Sequence, residues 1–230
     1  MTDLNVHTLE VRYKPNPKIL DYRGTWAELI SNHMNLSEWK IIENRIDIYD
    51  KEKKNHAFVG FRNAGLVAVD TPTRNYFPDK ALKFFKYLFS LEGFEKTPFL
   101  LRIGVRSRFC KEYNGSFDEL RDKYSSKYLS LTERAKEIIG AKLLDIGGPL
   151  NFSDRYGNFN TMSGPMKDEQ MPQYFQYTED FPDVGLFFDI DYWLKPERKL
   201  NEKEILKTIK DFSNSAWERF DKISSLILGD

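Results

Sequence analysis

The chain has few of the residues that build metal centres and disulfides. Its 230 residues include one cysteine, Cys110, and three histidines, His7, His33 and His56. A single cysteine excludes an internal disulfide and a cysteine-based metal site. The histidines lie far apart in the sequence and never at the spacing of metal ligands, so we expect packing or surface roles for them.

Long apolar runs and an excess of either charge are also absent. No run approaches the roughly 18 apolar residues of a membrane span, and the N-terminus MTDLNVHTLE has neither the basic nor the apolar region of a signal peptide. Basic and acidic residues both number 35, so the net charge is zero, which argues against general nucleic-acid affinity. We therefore predict a cytoplasmic protein with neither a membrane nor a nucleic acid as its favoured partner.

The motifs of common enzyme classes are missing too. The sequence has no G-x-x-x-x-G-K-[ST] or G-x-G-x-x-G loop for phosphates, and no H-E-x-x-H or G-x-S-x-G motif for hydrolysis. We identify no catalytic residue and expect no cofactor, so the leading hypothesis is a protein without enzymatic activity. A Ser/His/Asp triad stays open, because its members are distant in sequence.

The order of the predicted elements indicates an α+β fold. Residues 40–49 have the pattern of one strand, whereas the Gly-, Pro- and Asn-rich residues 155–182 are predicted to hold at most short strands. The clearest helix is the last, where Asn201 and Glu204 form a capping pair before an apolar stripe that reaches Ile227. We predict a largely antiparallel sheet with helices packed on one face and a long C-terminal helix. We treat residues 1–230 as one domain, with 1–115 and 116–230 as candidate pseudo-repeated lobes.

Two predicted strands carry opposite charges. In residues 98–110 one face holds Leu101, Ile103, Val105, Ser107 and Phe109, and the other holds Arg102, Gly104, Arg106 and Arg108. In residues 186–194 the charged face holds Asp189 and Asp191 together with Phe187 and Trp193. If the two strands are neighbours in one sheet, the arginines and aspartates form cross-strand ion pairs.

Two other functions of these side chains stay open. Asp189 and Asp191 point to one side of a strand, and such a pair can bind Mg²⁺ or Mn²⁺ in enzymes that act on phosphate-containing substrates. Arg102, Arg106 and Arg108 can instead follow the backbone of a single-stranded nucleic acid. The same five residues are the candidates for binding a small ligand.

An acidic and aromatic stretch follows residue 167. Between residues 168 and 194 there are seven acidic residues and no basic one, interleaved with aromatic side chains. Acidic and aromatic groups together suit contact with a basic partner. We therefore predict a protein-binding surface that includes Tyr174, Tyr177, Asp180 and Asp183.

The motif Leu101-Arg102-Ile103-Gly104-Val105-Arg106 resembles a strand of a sporadically distributed bacterial and archaeal family of unknown function. The family pattern also includes an aromatic helix, a D-x-D strand and a long C-terminal helix, which match residues 76–91, 188–191 and 201–227. This chain departs from the pattern after Arg106, where Ser107-Arg108-Phe109 replaces Y-[IVL]-N. The resemblance implies that the charged strands are part of the family architecture. The patchy distribution, typical of mobile-element and defence genes, implies a recognition role in host–mobile-element conflict.

Overall fold

The computed structural model describes residues 3–229, apart from the side chains of residues 133 and 136. The helices are α1 Lys18–Met34, α2 Tyr76–Ser90, α3 Phe117–Lys127, α4 Glu133–Ile139 and α5 Glu202–Leu228, with a 3₁₀-helix at Asp168–Gln173. The strands are β1 Leu4–Tyr13, β2 Glu38–Ile42, β3 Arg45–Tyr49, β4 Asn55–Gly60, β5 Asn63–Val69, β6 Phe99–Glu112, β7 Gly148–Ser153, β8 Asn158–Lys167, β9 Val184–Leu194 and β10 Arg198–Lys199. Within this part of the chain, no helix combines the length and the apolar character that crossing a bilayer requires.

The strands form one antiparallel sheet that runs through both halves of the chain. Its order is β2-β3-β4-β5-β1-β6-β9-β8-β7, and β10 pairs with β6 beside this path. The long β6–β9 pairing, from Ile103↔Leu194 to Glu112↔Gly185, joins the strands of the first half to those of the second. With its helices, including the long α5, this sheet confirms the predicted α+β fold.

Helices α1, α2, α5 and α3 pack on one face of the sheet, and we call this the helix face. Alternate residues of the central strands point into it, so their apolar side chains meet the apolar stripe of α5. Phe109 of β6 stacks on Phe220 with ring centroids 4.4 Å apart, and Tyr192 of β9 stacks on Phe212 at 5.2 Å. The predicted cap of α5 is present, since Asn201 and Glu204 exchange hydrogen bonds.

The opposite side of the sheet, which we call the open face, is covered at one end only. There residues 168–183 leave β8, turn through the 3₁₀-helix and return to β9. They bury a small apolar cluster against the sheet, in which Met171 and Phe175 contact Phe187 and neighbouring residues. The rest of the open face carries the charged residues of β1, β6 and β9.

Leu101 does not lie on the helix face, so its predicted position is wrong. In the pairing of β1 with β6, Arg12 is opposite Arg102 but Tyr13 is opposite Leu100, which leaves Leu101 as an extra residue. A bulge of this kind reverses the alternation of side chains along a strand. Leu100 is therefore fully buried, whereas Leu101 is 41% exposed.

Two other predictions of strands also need correction. Residues 40–49 form no single strand, because the chain turns at residues 43–44 and β2 pairs with β3 as a hairpin. Residues 155–182, predicted to hold at most short strands, contain the ten-residue β8. Pairing with β9 along its whole length, from Asn158↔Trp193 to Lys167↔Val184, stabilises β8 despite Gly164 and Pro165.

Gly65 of β5 is a position where the packing requires the absence of a side chain. A Cβ atom there would lie 2.1 Å from the Leu9 carbonyl oxygen and 2.4 Å from the ring of Phe58. We expect Gly65→Ala to lower the free energy of unfolding by about 2 kcal/mol, because neither the paired strand nor the buried ring can withdraw easily. Urea unfolding measures the change. Gly24→Ala is the matched control, since nothing lies within 4 Å of that position in α1, and it should leave stability unchanged or slightly higher.

Candidate functional site

The most strongly charged part of the open face is a row of alternating charges across β1, β6 and β9. The row consists of Arg12, Glu10, Arg102, Asp191, Arg106, Asp189 and Arg108, and we call it the charge ladder. Strand alternation places all seven side chains on one side of the sheet. The cross-strand ion pairs predicted between β6 and β9 are present in it.

Asp189 is the most buried member of the ladder, with 5% of its side chain exposed. Arg106 Nε lies 2.8 and 2.9 Å from its two carboxylate oxygens, and Arg106 Nη2 also donates to Oδ2. Arg108, the residue directly opposite in the register, adds a bond from Nε at 3.3 Å. Two guanidinium groups therefore compensate one buried carboxylate, which would otherwise be costly to desolvate.

Asp191 has a weaker arrangement. Arg102 Nη2 lies 3.2 Å from both of its oxygens, and it reaches them across Gly104, where a Cβ atom would lie 2.4 Å from Arg102 Nη1. Burial raises the pKa of Asp191, and the opposing attraction of Arg102 and Arg106 does not cancel this effect. Gly104 therefore serves the ladder by leaving space for a guanidinium group.

On the other side of Arg102 the ladder continues to Glu10, which sequence analysis did not include. Glu10 accepts hydrogen bonds from Arg12 Nε at 2.8 Å and from Asn63 Nδ2 at 2.9 Å, and Arg102 Nη1 lies 3.7 Å from it. Burial raises the pKa of Glu10, but the bonds from Arg12 and Asn63 outweigh it, so the net shift is downward. The available signal was the pair of charged residues two positions apart near the end of β1, Glu10 and Arg12.

The ladder leaves little for a metal ion or a phosphate backbone to bind. Guanidinium groups already occupy the oxygens of Asp189 and Asp191, and within residues 3–229 no group of three or more His, Cys, Asp or Glu side chains could hold a metal. Arg102, Arg106 and Arg108 are in turn matched by carboxylates. The ladder is therefore largely compensated internally.

Residues 168–183, the acidic segment, differ because their charges are not compensated. All five carboxylates are exposed, and none forms an ion pair within the part of the chain that the structure describes. They are Asp168, Glu169, Glu179, Asp180 and Asp183. Tyr177 is also exposed, at 52%, and its backbone has a positive φ of 68°. Tyr174 is different, because its ring packs 4.5 Å from that of Phe187 and its carbonyl oxygen accepts a bond from Arg108.

An acidic cleft of about 350 Å³ opens beside this segment. Glu179 and Asp180 line it together with Asp3 and Asp70, and among the described residues that line it Lys54 is the basic one. Burial raises the pKa of Asp3 and of Asp70, although Thr178 and Lys54 bind the Asp70 carboxylate. Lys111 also attracts the Asp3 carboxylate. Acidic groups still outnumber the basic groups described at the cleft, so a further cation would stabilise it.

A second, partly buried charge cluster is structural. Asp154 accepts bonds from the backbone N–H groups of Tyr156 and Gly157 and from the hydroxyl of Tyr192, and it pairs with Arg219 of α5. Burial raises the pKa of Asp154, but these bonds outweigh it and the net shift is downward. The cluster ties the β7–β8 hairpin to β9 and α5. Its signal in the sequence was the Asp-x-x-Gly pattern of a turn.

The structure thus brings Arg102, Arg106, Arg108, Asp189 and Asp191 together in one ladder. It places Tyr177, Asp180 and Asp183 on a separate exposed segment, with Tyr174 between the two. No protein-family model matches the chain, and no curated protein shows significant sequence similarity to it, so inference about function rests on these residues and their geometry.

Proposed function

We propose that the protein is a recognition module that binds a basic segment of a partner protein on its acidic segment and the adjacent cleft. The observation that carries the proposal is the contrast between two groups of carboxylates. Those of the ladder are matched by arginines, whereas the five in the acidic segment have no cationic partner in the described chain.

A lysine- or arginine-rich segment suits this surface best. The cleft offers four carboxylates to an ammonium or guanidinium group. Tyr177 lines a different depression, together with Lys40, Arg45, Lys53 and His56, so the proposed contact with a cation lies on the carboxylates of the cleft and not on the Tyr177 ring. Complementary charge speeds encounter and selects the partner. A cytoplasmic location and a link to host–mobile-element conflict are further proposals, which rest on the sequence.

The test uses a fluorescein-labelled octalysine peptide and an octaglutamate control, with binding followed by fluorescence anisotropy at low ionic strength. The variant Glu179→Gln/Asp180→Asn/Asp183→Asn should weaken octalysine binding about tenfold, because three exposed pairs worth up to about 1 kcal/mol each are lost. Added salt should remove much of the difference.

The matched control is Asp21→Asn/Glu28→Gln/Glu137→Gln, which neutralises three exposed carboxylates away from the segment. It should bind octalysine almost as the parent does. If both triple variants lost the same affinity for octalysine, the effect would be one of net charge alone and the proposal would be overturned. A parent protein that does not bind octalysine would overturn it as well. Binding of spermidine as tightly as octalysine would indicate a small cationic ligand instead of a protein partner.

We propose neither a metal-dependent enzyme using Asp189 and Asp191 nor nucleic-acid binding through Arg102, Arg106 and Arg108. No observation on the ladder favours them, because its members satisfy one another. The ladder acts in this proposal as the rigid platform beside the acidic segment, to which Arg108 is bonded through the Tyr174 carbonyl oxygen.

A further inference from the structure

One edge of the sheet is exposed along its whole length. Strand β2 is the first strand in the sheet order, and all five of its residues are exposed. Three of them are large and apolar, namely Trp39 at 48%, Ile41 at 37% and Ile42 at 39% exposed. An edge strand presents unpaired N–H and C=O groups that favour pairing with another strand.

β2 is short and carries Glu38 and Lys40, but it has neither a bulge nor a proline to block pairing. Its pairing with β3 is continuous from Glu38↔Tyr49 to Ile42↔Arg45, without a bulge, and it contains no proline. The opposite edge, β7, contains Pro149, which has no N–H group to donate. Pairing of β2 with β7 of another copy would also give an open filament, whereas pairing of β2 with itself gives a closed dimer.

The sequence of β2 is complementary to itself in one antiparallel register. If Trp39 lies opposite Trp39 of a second copy, Glu38 faces Lys40 of that copy and Lys40 faces its Glu38. A register centred on Lys40 would place two lysines opposite each other, and one centred on Glu38 would oppose two glutamates. Opposite charges stabilise such cross-strand pairs and like charges destabilise them.

We infer that the protein forms a two-fold symmetric dimer through β2, in the register that pairs Trp39 with Trp39 and Glu38 with Lys40. The two sheets then continue into each other, with both helix layers on the same side, because the paired residues share a face. The two tryptophans and the neighbouring Ile41 side chains bury apolar surface on the helix face.

Sedimentation equilibrium from about 1 µM to about 1 mM, the range of weak association, tests the dimer. The average mass should rise from 27.1 kDa towards twice that value. Glu38→Lys and Lys40→Glu should each raise the dissociation constant about tenfold, since each turns two attractive pairs into repulsive ones. The double variant Glu38→Lys/Lys40→Glu should restore the parent constant. A parent that stays at 27.1 kDa, or a double variant as weak as the single ones, overturns the inference.

Disulfide trapping tests the register independently. Cys110 is fully buried, so Trp39→Cys introduces an accessible thiol that should cross-link two copies under mild oxidation. Ile41→Cys is the matched control on the same face. In the inferred register its two copies lie about 14 Å apart, at about 3.4 Å per residue, which exceeds the roughly 7 Å limit for a disulfide. Equal cross-linking of both variants would contradict the register.

Discussion

Replacing Arg106 with alanine is expected to lower the free energy of unfolding by about 2–3 kcal/mol. Asp189 has 5% of its side chain exposed and takes its closest bonds from Arg106, so the substitution leaves a buried carboxylate with the single contact from Arg108 at 3.3 Å. Breaking a buried ion pair from one side costs about 3–5 kcal/mol. The expected loss is smaller because the half-exposed Arg106 side chain leaves space for water near the carboxylate.

Urea unfolding at neutral pH measures this loss. Asp189→Ala is the informative comparison, because it leaves two arginines that can turn towards water, so its cost should be smaller than that of Arg106→Ala. The double variant Arg106→Met/Asp189→Leu should recover much of the stability, since apolar replacement of a buried pair is often neutral. Losses of equal size from both single variants would show that the carboxylate is solvated and its burial unimportant.

The strands of the ladder could be predicted from sequence, but its full extent could not. Period-two alternation placed Arg102, Arg106, Asp189 and Asp191 on charged faces, and opposite charge predicted that the two strands are neighbours. The diagonal bond from Arg106 to Asp189, although Arg106 is opposite Asp191 in the register, depends on side-chain reach. Sequence alternation also could not locate the bulge at Leu101, because a bulge depends on the partner strand.

The C-terminal helix could be predicted more accurately than strand β8. α5 has caps and a stripe that are local in sequence, so its predicted start at residue 201 differs from the observed one by a single residue. β8 contains Gly164 and Pro165, whose local preferences oppose a strand, and it forms because β7 and β9 flank it. Long-range pairing of this kind leaves no local pattern in the sequence.

The zero net charge hides two oppositely charged halves. Residues 1–115 hold 19 basic and 14 acidic residues, and residues 116–230 hold 16 basic and 21 acidic ones. The structure joins these halves where the arginines of β6 meet the aspartates of β9. The acidic residues of the segment after β8 take no part in that compensation, which is why the proposed partner is basic.

The largest pH effect is expected from His7, a histidine buried between the sheet and the helices. It is 1% exposed, its Nδ1 lies 2.9 Å from Ser107 Oγ, and its Nε2 has no hydrogen-bond partner in the described part of the protein. Its ring is surrounded by Phe77, Phe109 and Trp217. Burial lowers the pKa of His7 from 6.5 to about 3, so the imidazole stays neutral in the folded protein at any pH above that value.

Because the pKa of His7 is lower in the folded than in the unfolded chain, the unfolded state binds more protons as the pH falls below 6.5. The contribution of neutral His7 to the free energy of unfolding is therefore fully present above pH 6.5. It is lost on acidification, at about 1.4 kcal/mol per pH unit. Between pH 7.5 and 4.5 we expect His7 alone to lower the free energy of unfolding by about 2.7 kcal/mol. Carboxylates contribute in the same range, so the effect is read as a difference between variants.

The variant His7→Phe/Ser107→Ala removes the titrating ring and its hydroxyl partner together, so no unpaired polar group is created. We measure the free energy of unfolding of the variant and of the parent in urea at several pH values. Between pH 7.5 and 4.5 the decrease should be about 2.7 kcal/mol smaller for the variant, which is the amount expected from His7. His33→Gln is the control: burial lowers the pKa of His33, with a smaller contribution from Lys83, but that ring is only partly buried, stacked on Tyr87.

Parallel pH profiles for the parent and the His7 variant would mean that His7 is protonated inside the fold. A charged imidazole among Phe77, Phe109 and Trp217 would then require a nearby anion, and the described contacts of His7 provide none.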